Sequence, residues 1–318
     1  MAEGMRSRKV LVLSKITKKQ LEGIRSVSSK LKVVAFEKES EASRHISDSE
    51  VIAGWISEEA LGKALKLKWI HTFSTGVDSI LHYRTMREDV ILTCSKGAHS
   101  TPVAEHALMF MLMLAKHMPL YSKCQNQRRW KWLHTSELRG KTVGIVGFGH
   151  IGKEIARQAR CLGMRVIAMR RTRLVEPGAD ILLPSGNLNA LLSESDFVVV
   201  AAPLTRKTEG MFGEKEFRAM KRGAYFINIA RGGLVQEEAL VKALRRGWIG
   251  GAALDVTENE PPPPKSELYE LENLVLTPHV SGGSREAFER SLGIFRENLR
   301  RYIAGETLLN VVDKKECY

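Results

Sequence analysis

The stretch that decides the fold is Thr142-Val-Gly-Ile-Val146, followed without a break by Gly147-Phe-Gly149-His150-Ile151-Gly152. The first five residues form a short apolar run that reads as a buried strand. An amphipathic pattern from Ile151 to about Leu162 then reads as a helix. In such a strand–turn–helix each glycine has its own task. The first makes the tight turn, the second lets a pyrophosphate approach the backbone, and the third lets helix pack on strand. The helix N-terminus adds unpaired N–H groups and a positive dipole end for the phosphate. Three glycines at this spacing say little alone, but in this context they predict a dinucleotide site at Gly147, Gly149 and Gly152.

The next strand, Arg165–Met169, bears on which dinucleotide. A unit that binds NAD places Asp or Glu about 20 residues beyond the glycines, on the ribose 2′-hydroxyl. Here the strand runs into Arg170-Arg171-Thr172, with no carboxylate among them. Two guanidiniums beside a hydroxyl suit a 2′-phosphate. NADP(H) is therefore the expected cofactor, with NAD(H) the alternative.

Outward from this unit, the chain alternates short apolar runs with helical patterns. Strands are predicted at Val10–Leu13, Val33–Phe36, Val51–Gly54, Trp69–Phe73 and Val90–Thr93. A second series comprises Val143–Val146, Arg165–Met169, Phe197–Ala201, Tyr225–Ile229, Gly251–Leu254 and Leu274–Leu276. Thr17-Lys-Lys-Gln20 has the form of a capping box, and Ser57-Glu-Glu opens another helix. Thr101-Pro102 starts a long helix that Pro119 stops near His117; a polar connector, Tyr121–Arg139, carries Trp130 and Trp132. One amphipathic helix, Ser284–Ile303, closes the chain. Repeated β–α alternation implies open parallel sheets, and 318 residues are too many for one core. The predicted fold class is α/β, two doubly wound parallel-sheet domains with a cleft between them.

Composition narrows the function classes. With 43% hydrophobic and 27% charged residues the chain is an ordinary globular one, so disorder is excluded. No apolar segment follows the charged N-terminus, which argues against a signal peptide. The longest apolar run, Ala107 to Ala115, is about half a membrane span and reads as a buried helix. Cys94, Cys124, Cys161 and Cys317 have neither CxxC spacing nor His partners, so reduced thiols, a cytoplasmic location and no metal site are expected. The net charge of +13 raises nucleic acid as a partner. Its basic residues are dispersed through helices beside Glu, however, which describes a solvated surface that also attracts anionic substrates.

Three segments beyond the cofactor strands carry chemistry: Asn228-Ile-Ala-Arg231-Gly-Gly, Ala253-Leu-Asp255-Val-Thr-Glu-Asn-Glu260-Pro, and Thr277-Pro-His279-Val-Ser-Gly-Gly283. Each follows a predicted strand at its carboxyl end, where open α/β sheets place ligands. Arg, acid and imidazole are the groups that reduction of a 2-keto acid requires. A guanidinium grips a carboxylate or polarises a keto oxygen through paired hydrogen bonds. An imidazolium protonates that oxygen, and a carboxylate on the other ring nitrogen orients the ring and favours its charged form.

With these motifs in the same order, the chain resembles the D-isomer-specific 2-hydroxyacid dehydrogenases along essentially its whole length. Ser74-Thr75-Gly76-Val77-Asp78 and Pro203-Leu-Thr205 with Thr208 belong to the same resemblance. It implies a flavodoxin-like substrate domain interrupted by a Rossmann cofactor domain. Residues 1–98 and 284–318 would form the first, and 99–283 the second. Arg231, Glu260 and His279 would be the substrate-binding Arg, the orienting acid and the proton donor. Thr75, Gly76 and Val77 would offer amides to a substrate carboxylate. His150 and Ile151 would meet the pyrophosphate and Asp255 the nicotinamide carboxamide. Ala202, Pro203, Thr208, Ile229, Ala230 and Gly282 complete the implied cofactor contacts.

Within that family, Arg170-Arg171-Thr172 departs from the strand-ending Asp of NAD users and is similar to the NADPH-dependent glyoxylate/hydroxypyruvate reductases. The resemblance further implies a homodimer joined through the cofactor domains, with the Trp130/Trp132 connector reaching the partner or packing locally. The expected function is hydride transfer between NADPH and a small 2-keto acid to give the D-2-hydroxy acid, with no nucleic-acid or membrane partner. Alternatives are an NAD-dependent D-2-hydroxyacid or phosphoglycerate dehydrogenase and, from a different class, a cofactor-sensing corepressor scaffold.

Overall fold

The computed structural model describes residues 7–171 and 177–314, and they divide into two compact units. One holds the described residues up to His99 together with those from Ser284 onward; the other is Ser100–Gly283.

The first unit contains a five-stranded parallel sheet, β1 (Arg8–Leu13), β2 (Leu31–Phe36), β3 (Val51–Gly54), β4 (Trp69–Thr72) and β5 (Ile91–Cys94). Their order across the sheet is β2-β1-β3-β4-β5, the flavodoxin-like arrangement. The inner strands are apolar along their whole length because both sheet faces are covered: Val10, Leu11, Val12, Val51, Ile52 and Ala53 are all buried. The closing helix, Arg285–Ala304, lays Leu292, Phe295 and Leu299 against Val10, Val12 and Trp69. Ser284 caps its start by accepting the Ala287 N–H, and Gly305 ends it with φ 74. The Thr17–Gln20 capping box forms as expected, at 3.2 and 2.6 Å.

Beneath the loop after β4 lies a buried polar cluster. His71 is fully buried, with Nδ1 2.8 Å from Thr93 Oγ1 and Nε2 3.3 Å from Ser95 Oγ. Its ring stacks on Phe295, centroids 5.1 Å apart. Trp69 Nε1 donates to the same Thr93 hydroxyl at 2.8 Å. Ser95 N–H donates to Ser74 O at 2.9 Å, anchoring the loop to β5.

The second unit is a seven-stranded parallel sheet. Its strands are β6 (Thr142–Val146), β7 (Arg165–Arg170), β8 (Ile181–Pro184), β9 (Phe197–Val200), β10 (Tyr225–Asn228), β11 (Gly251–Leu254) and β12 (Leu274–Leu276). The order β12-β11-β10-β9-β6-β7-β8 reverses direction at β6, the strand that leads into the glycine turn. That reversal is where doubly wound sheets open a crevice for a ligand. Helices Ser100–Ala115 and His150–Cys161 cover one face through Phe110, Met111, Ile155 and Ala159. Phe212, Phe217 and Phe226 fill the other.

Two features depart from expectation. Ile181–Pro184 forms an eighth strand in chain order, half-buried at the sheet edge, where its short length and terminal Pro hide the strand signature. The connector begins with a helix, Met118–Asn126, because His117 breaks the preceding helix at φ 53 and Pro119 starts a new one rather than a loop.

Candidate active site

The three glycines occupy three different environments, and these match the needs of a bound dinucleotide. Gly147 has φ +104, and a Cβ there would lie 2.6 Å from Ala201 C and Ala202 N. Only glycine permits that turn against the loop after β9. At Gly152 a Cβ would come within 2.1 Å of Gly147 O, so helix and strand meet through bare backbone. At Gly149 nothing lies within 4 Å, so the backbone faces open space. Gly149 is also the N-cap of the helix His150–Cys161 and supplies no side-chain cap.

The glycine turn is held between two segments. On one side, Gly147 N–H donates to Met169 O at 3.0 Å, so Arg170 and Arg171 follow directly from a backbone bond to the turn. Thr172, the third residue of that expected set, lies outside the described residues. On the other side, Ala202 and Pro203 lead into a turn closed by Thr208, whose hydroxyl donates to Pro203 O at 2.7 Å and accepts the Thr205 N–H at 2.9 Å.

The Arg, acid and His all lie within this second unit. His279 Nδ1 is 2.7 Å from Glu260 Oε2. A carboxylate only accepts, so Nδ1 carries the hydrogen and Nε2 is the nitrogen left for a substrate. Both side chains are partly open, 47% and 40% exposed. His279 adopts φ 52, a left-handed conformation that costs a non-glycine residue of order 1 kcal/mol. Glu260 Oε1 accepts the Thr257 N–H at 3.3 Å, and this loop packs on Gly232, where a Cβ would lie 1.9 Å from Thr257 O. Only glycine after Arg231 lets the two loops touch.

Sequence reading missed how these loops are braced. Asn228, fully buried at the end of β10, accepts the Ala230 N–H at 3.0 Å and donates to Arg231 O at 2.8 Å, tying off the turn that presents Arg231. Asp255, 1% exposed, spends its carboxylate on the His279 turn. Oδ1 accepts Thr277 Oγ1–H at 2.6 Å and Val280 N–H at 2.9 Å; Oδ2 accepts Ser281 N–H at 2.9 Å. Burial pushes this carboxyl up, but the bonds from Ser281, Thr277 and Val280 outweigh it and hold it below the usual carboxylate range. His106, from the helix Ser100–Ala115, lies 3.0 Å from Thr277 Oγ1. Buried Asx residues at strand ends were the visible signal for the first two; nothing in sequence pointed to His106.

In the first unit, the Ser74–Val77 loop is held by Ser74 Oγ, which donates to Gly76 O at 2.7 Å, and by His99 Nε2, 2.7 Å from Phe73 O. Thr75 keeps a buried hydroxyl with no hydrogen-bond partner.

The chain is similar to known proteins along most of its length. Residues 108–281 match the family model for the NAD binding domain of the D-isomer specific 2-hydroxyacid dehydrogenases. A glyoxylate reductase of Pyrococcus furiosus is 34% identical over 311 residues, 92% of each chain. A D-3-phosphoglycerate dehydrogenase of Archaeoglobus fulgidus is 32% identical, but the match spans only 59% of its length. Among solved structures, a D-isomer specific 2-hydroxyacid dehydrogenase family protein from Aeromonas salmonicida has TM-score 0.89 and 32% identity, covering 97% of this chain and 99% of that one. An NADPH-dependent glyoxylate/hydroxypyruvate reductase from Sinorhizobium meliloti, in complex with NADP and sulfate, has TM-score 0.86 and 27% identity, covering 98% and 100%.

The fold and site thus define a dinucleotide-dependent oxidoreductase. The chain belongs to the D-isomer specific 2-hydroxyacid dehydrogenase family, and within it the likeness is to 2-keto acid reductases of the glyoxylate reductase kind. Among the described residues no helix is long and apolar enough to cross a membrane.

Proposed function

We propose that this protein reduces glyoxylate, hydroxypyruvate or a similarly small 2-keto acid with NADPH, giving the D-2-hydroxy acid. The observation that carries the reading is the 2.7 Å His279–Glu260 pair on loops braced by Asp255 and Gly232. Gly147, Gly149, His150, Ile151 and Gly152 would hold the pyrophosphate. Arg170, Arg171 and Thr172 would hold the 2′-phosphate. Ala202, Pro203, Thr208, Ile229, Ala230 and Gly282 would line the remainder, and Asp255 would meet the nicotinamide carboxamide. When bound, NADPH supplies the hydride.

The chain's own groups do the rest. Arg231 grips the substrate carboxylate or polarises its keto oxygen, and the amides of Thr75, Gly76 and Val77 add donors to that carboxylate. His279 delivers a proton from Nε2 to the keto oxygen, while Glu260 on Nδ1 fixes the ring and offsets its positive charge. Hydride at C2 and proton at oxygen complete the hydroxy acid.

NADPH is preferred because the arginine pair occupies the place of a ribose-binding acid, and the Sinorhizobium neighbour binds NADP. The fully exposed Trp130 and Trp132, 72% exposed, on the second unit support a homodimer formed through that unit. Unpaired Cys94, Cys124 and Cys161 support a reducing, cytoplasmic setting.

Steady-state rates on a panel of 2-keto acids with both cofactors test the proposal. NADPH should give the higher kcat/KM on small keto acids, and Arg170→Ala with Arg171→Ala should cost NADPH far more than NADH. A preference of about tenfold or more for NADH, some 1.4 kcal/mol, would remove the NADP assignment.

A further inference from the structure

We propose that His106 is a positioning residue for proton transfer by His279: its imidazole fixes the direction of the Thr277 hydroxyl, and that hydroxyl locks the turn carrying His279. The inference rests on the reading of His279 as proton donor.

The hydrogen-bond directions follow from donor and acceptor inventory. Asp255 Oδ1, 2.6 Å from Thr277 Oγ1, also accepts the Val280 N–H and is held ionised, so it cannot donate. The single proton of Thr277 is therefore committed to Asp255. At 3.0 Å from His106 Nε2, the Thr277 oxygen must accept, and His106 must carry its hydrogen on Nε2. The chain His106 Nε2–H to Thr277 O–H to Asp255 is directional, and each bond polarises the next. His106 Nε2 also lies 3.7 Å from Asp255 Oδ1, beyond hydrogen-bond reach, so its one N–H goes to Thr277.

His106 is fixed independently of this chain. It projects from the helix Ser100–Ala115, its side chain is 15% exposed, and its ring packs edge-on against the fully buried Phe110, centroids 4.5 Å apart at 80°. Burial pushes the imidazole down, with Asp255 pulling the other way, so the neutral Nε2–H form is the one that donates near neutral pH.

The turn being locked needs such a clamp. His279 sits at φ 52, a conformation that an unconstrained histidine leaves. It is held there by its own N–H on Asp255 O at 2.8 Å, and by Asp255 bonds to residues 277, 280 and 281, which flank it on both sides. A Thr277 hydroxyl free to rotate would release the 277 side of that clamp. Proton transfer tolerates little displacement: about 1 Å can cost roughly a hundredfold.

Three variants separate donation from bulk. His106→Leu removes the donor, His106→Gln places an amide N–H at similar reach, and Thr277→Val removes the hydroxyl at nearly constant volume. His106→Leu and Thr277→Val should each lower kcat by roughly ten- to a hundredfold, with KM for the keto acid and affinity for NADPH little changed. His106→Gln should restore most of the rate. The Leu/Val double variant should be no slower than the slower single, because both remove one shared chain. Imidazole 15N NMR of the enzyme without substrate or cofactor gives a readout apart from turnover. It should show the His106 Nε2–H tautomer, lost or mixed in Thr277→Val, and a changed His279 signal in His106→Leu. Wild-type kcat in His106→Leu, an equal loss in His106→Gln, multiplying losses in the double variant, or an Nδ1–H tautomer for His106 would each overturn the proposal. If replacing His279 leaves turnover intact, the reading of the site fails instead; the NMR result still decides the clamp.

Discussion

His279 Nδ1 lies 2.7 Å from Glu260 Oε2, while the other oxygen of that carboxylate accepts the Thr257 N–H at 3.3 Å. Glu260 is thus held by its own loop while it holds the imidazole. Glu260→Gln keeps an acceptor for the Nδ1–H but removes the negative charge beside the ring that hands on the proton. We expect kcat for keto-acid reduction to fall by roughly tenfold or more. Wild-type kcat in Glu260→Gln would show that the carboxylate charge plays no part.

Replacing His279 requires care, because its φ of 52 strains an alanine. Asn tolerates the left-handed region better than most residues, so His279→Asn removes the proton donor with less backbone penalty. Turnover should drop roughly a hundredfold to ten-thousandfold, with NADPH affinity, read by cofactor fluorescence, largely kept. Undiminished turnover would take the proton-donor role away from His279.

The glycines offer a contrast in which stability and binding separate. Gly152→Ala drives a methyl to 2.1 Å from Gly147 O and should cost about 1–3 kcal/mol as well as cofactor affinity. Gly149→Ala meets nothing within 4 Å at an ordinary φ of −88, so the cofactor-free protein should keep its melting temperature. Its affinity for NADPH should nevertheless fall, because the added methyl fills the space proposed for the pyrophosphate. Unchanged affinity in Gly149→Ala would place the phosphates elsewhere.

Much of this was legible in the residues. The glycine turn, the alternation of strands and helices, and the Arg231, Glu260 and His279 segments depend on local pattern, and pattern is what a sequence displays. The edge strand Ile181–Pro184 was not legible, since four half-buried residues ending in Pro carry too weak a periodicity. The braces were hidden for another reason. His106 and Thr277 are 171 positions apart, and their 3.0 Å contact exists only once helix and sheet have packed. A lone His on an apolar helix advertises no partner. Asp255 stood out as an acid at a strand end, but which donors would surround it depended on how the 277–281 turn folded back.

His71 ties the stability of the first unit to pH. Burial pushes this imidazole down to about 3, against an ordinary value of 6.5. Between those values the unfolded chain binds a proton that the folded chain refuses, so stability rises with pH across the window and is lost as pH falls through it. Above 6.5 both states leave the ring neutral and its contribution is level. Each pH unit inside the window corresponds to about 1.4 kcal/mol, so a fall from pH 6.5 to 5 should cost about 2 kcal/mol through this residue alone. Carboxylates also titrate near the lower end, which makes the difference from a variant the useful quantity. His71→Gln supplies a donor and an acceptor to Thr93 and Ser95 without titrating. Urea midpoints at pH 7.5, 6.5 and 5.0 should show the wild type losing about 2 kcal/mol more than the variant below 6.5, and nothing extra above it. Parallel losses in the two proteins would mean that His71 takes up its proton without unfolding the cluster of Thr93, Ser95 and Phe295 around it.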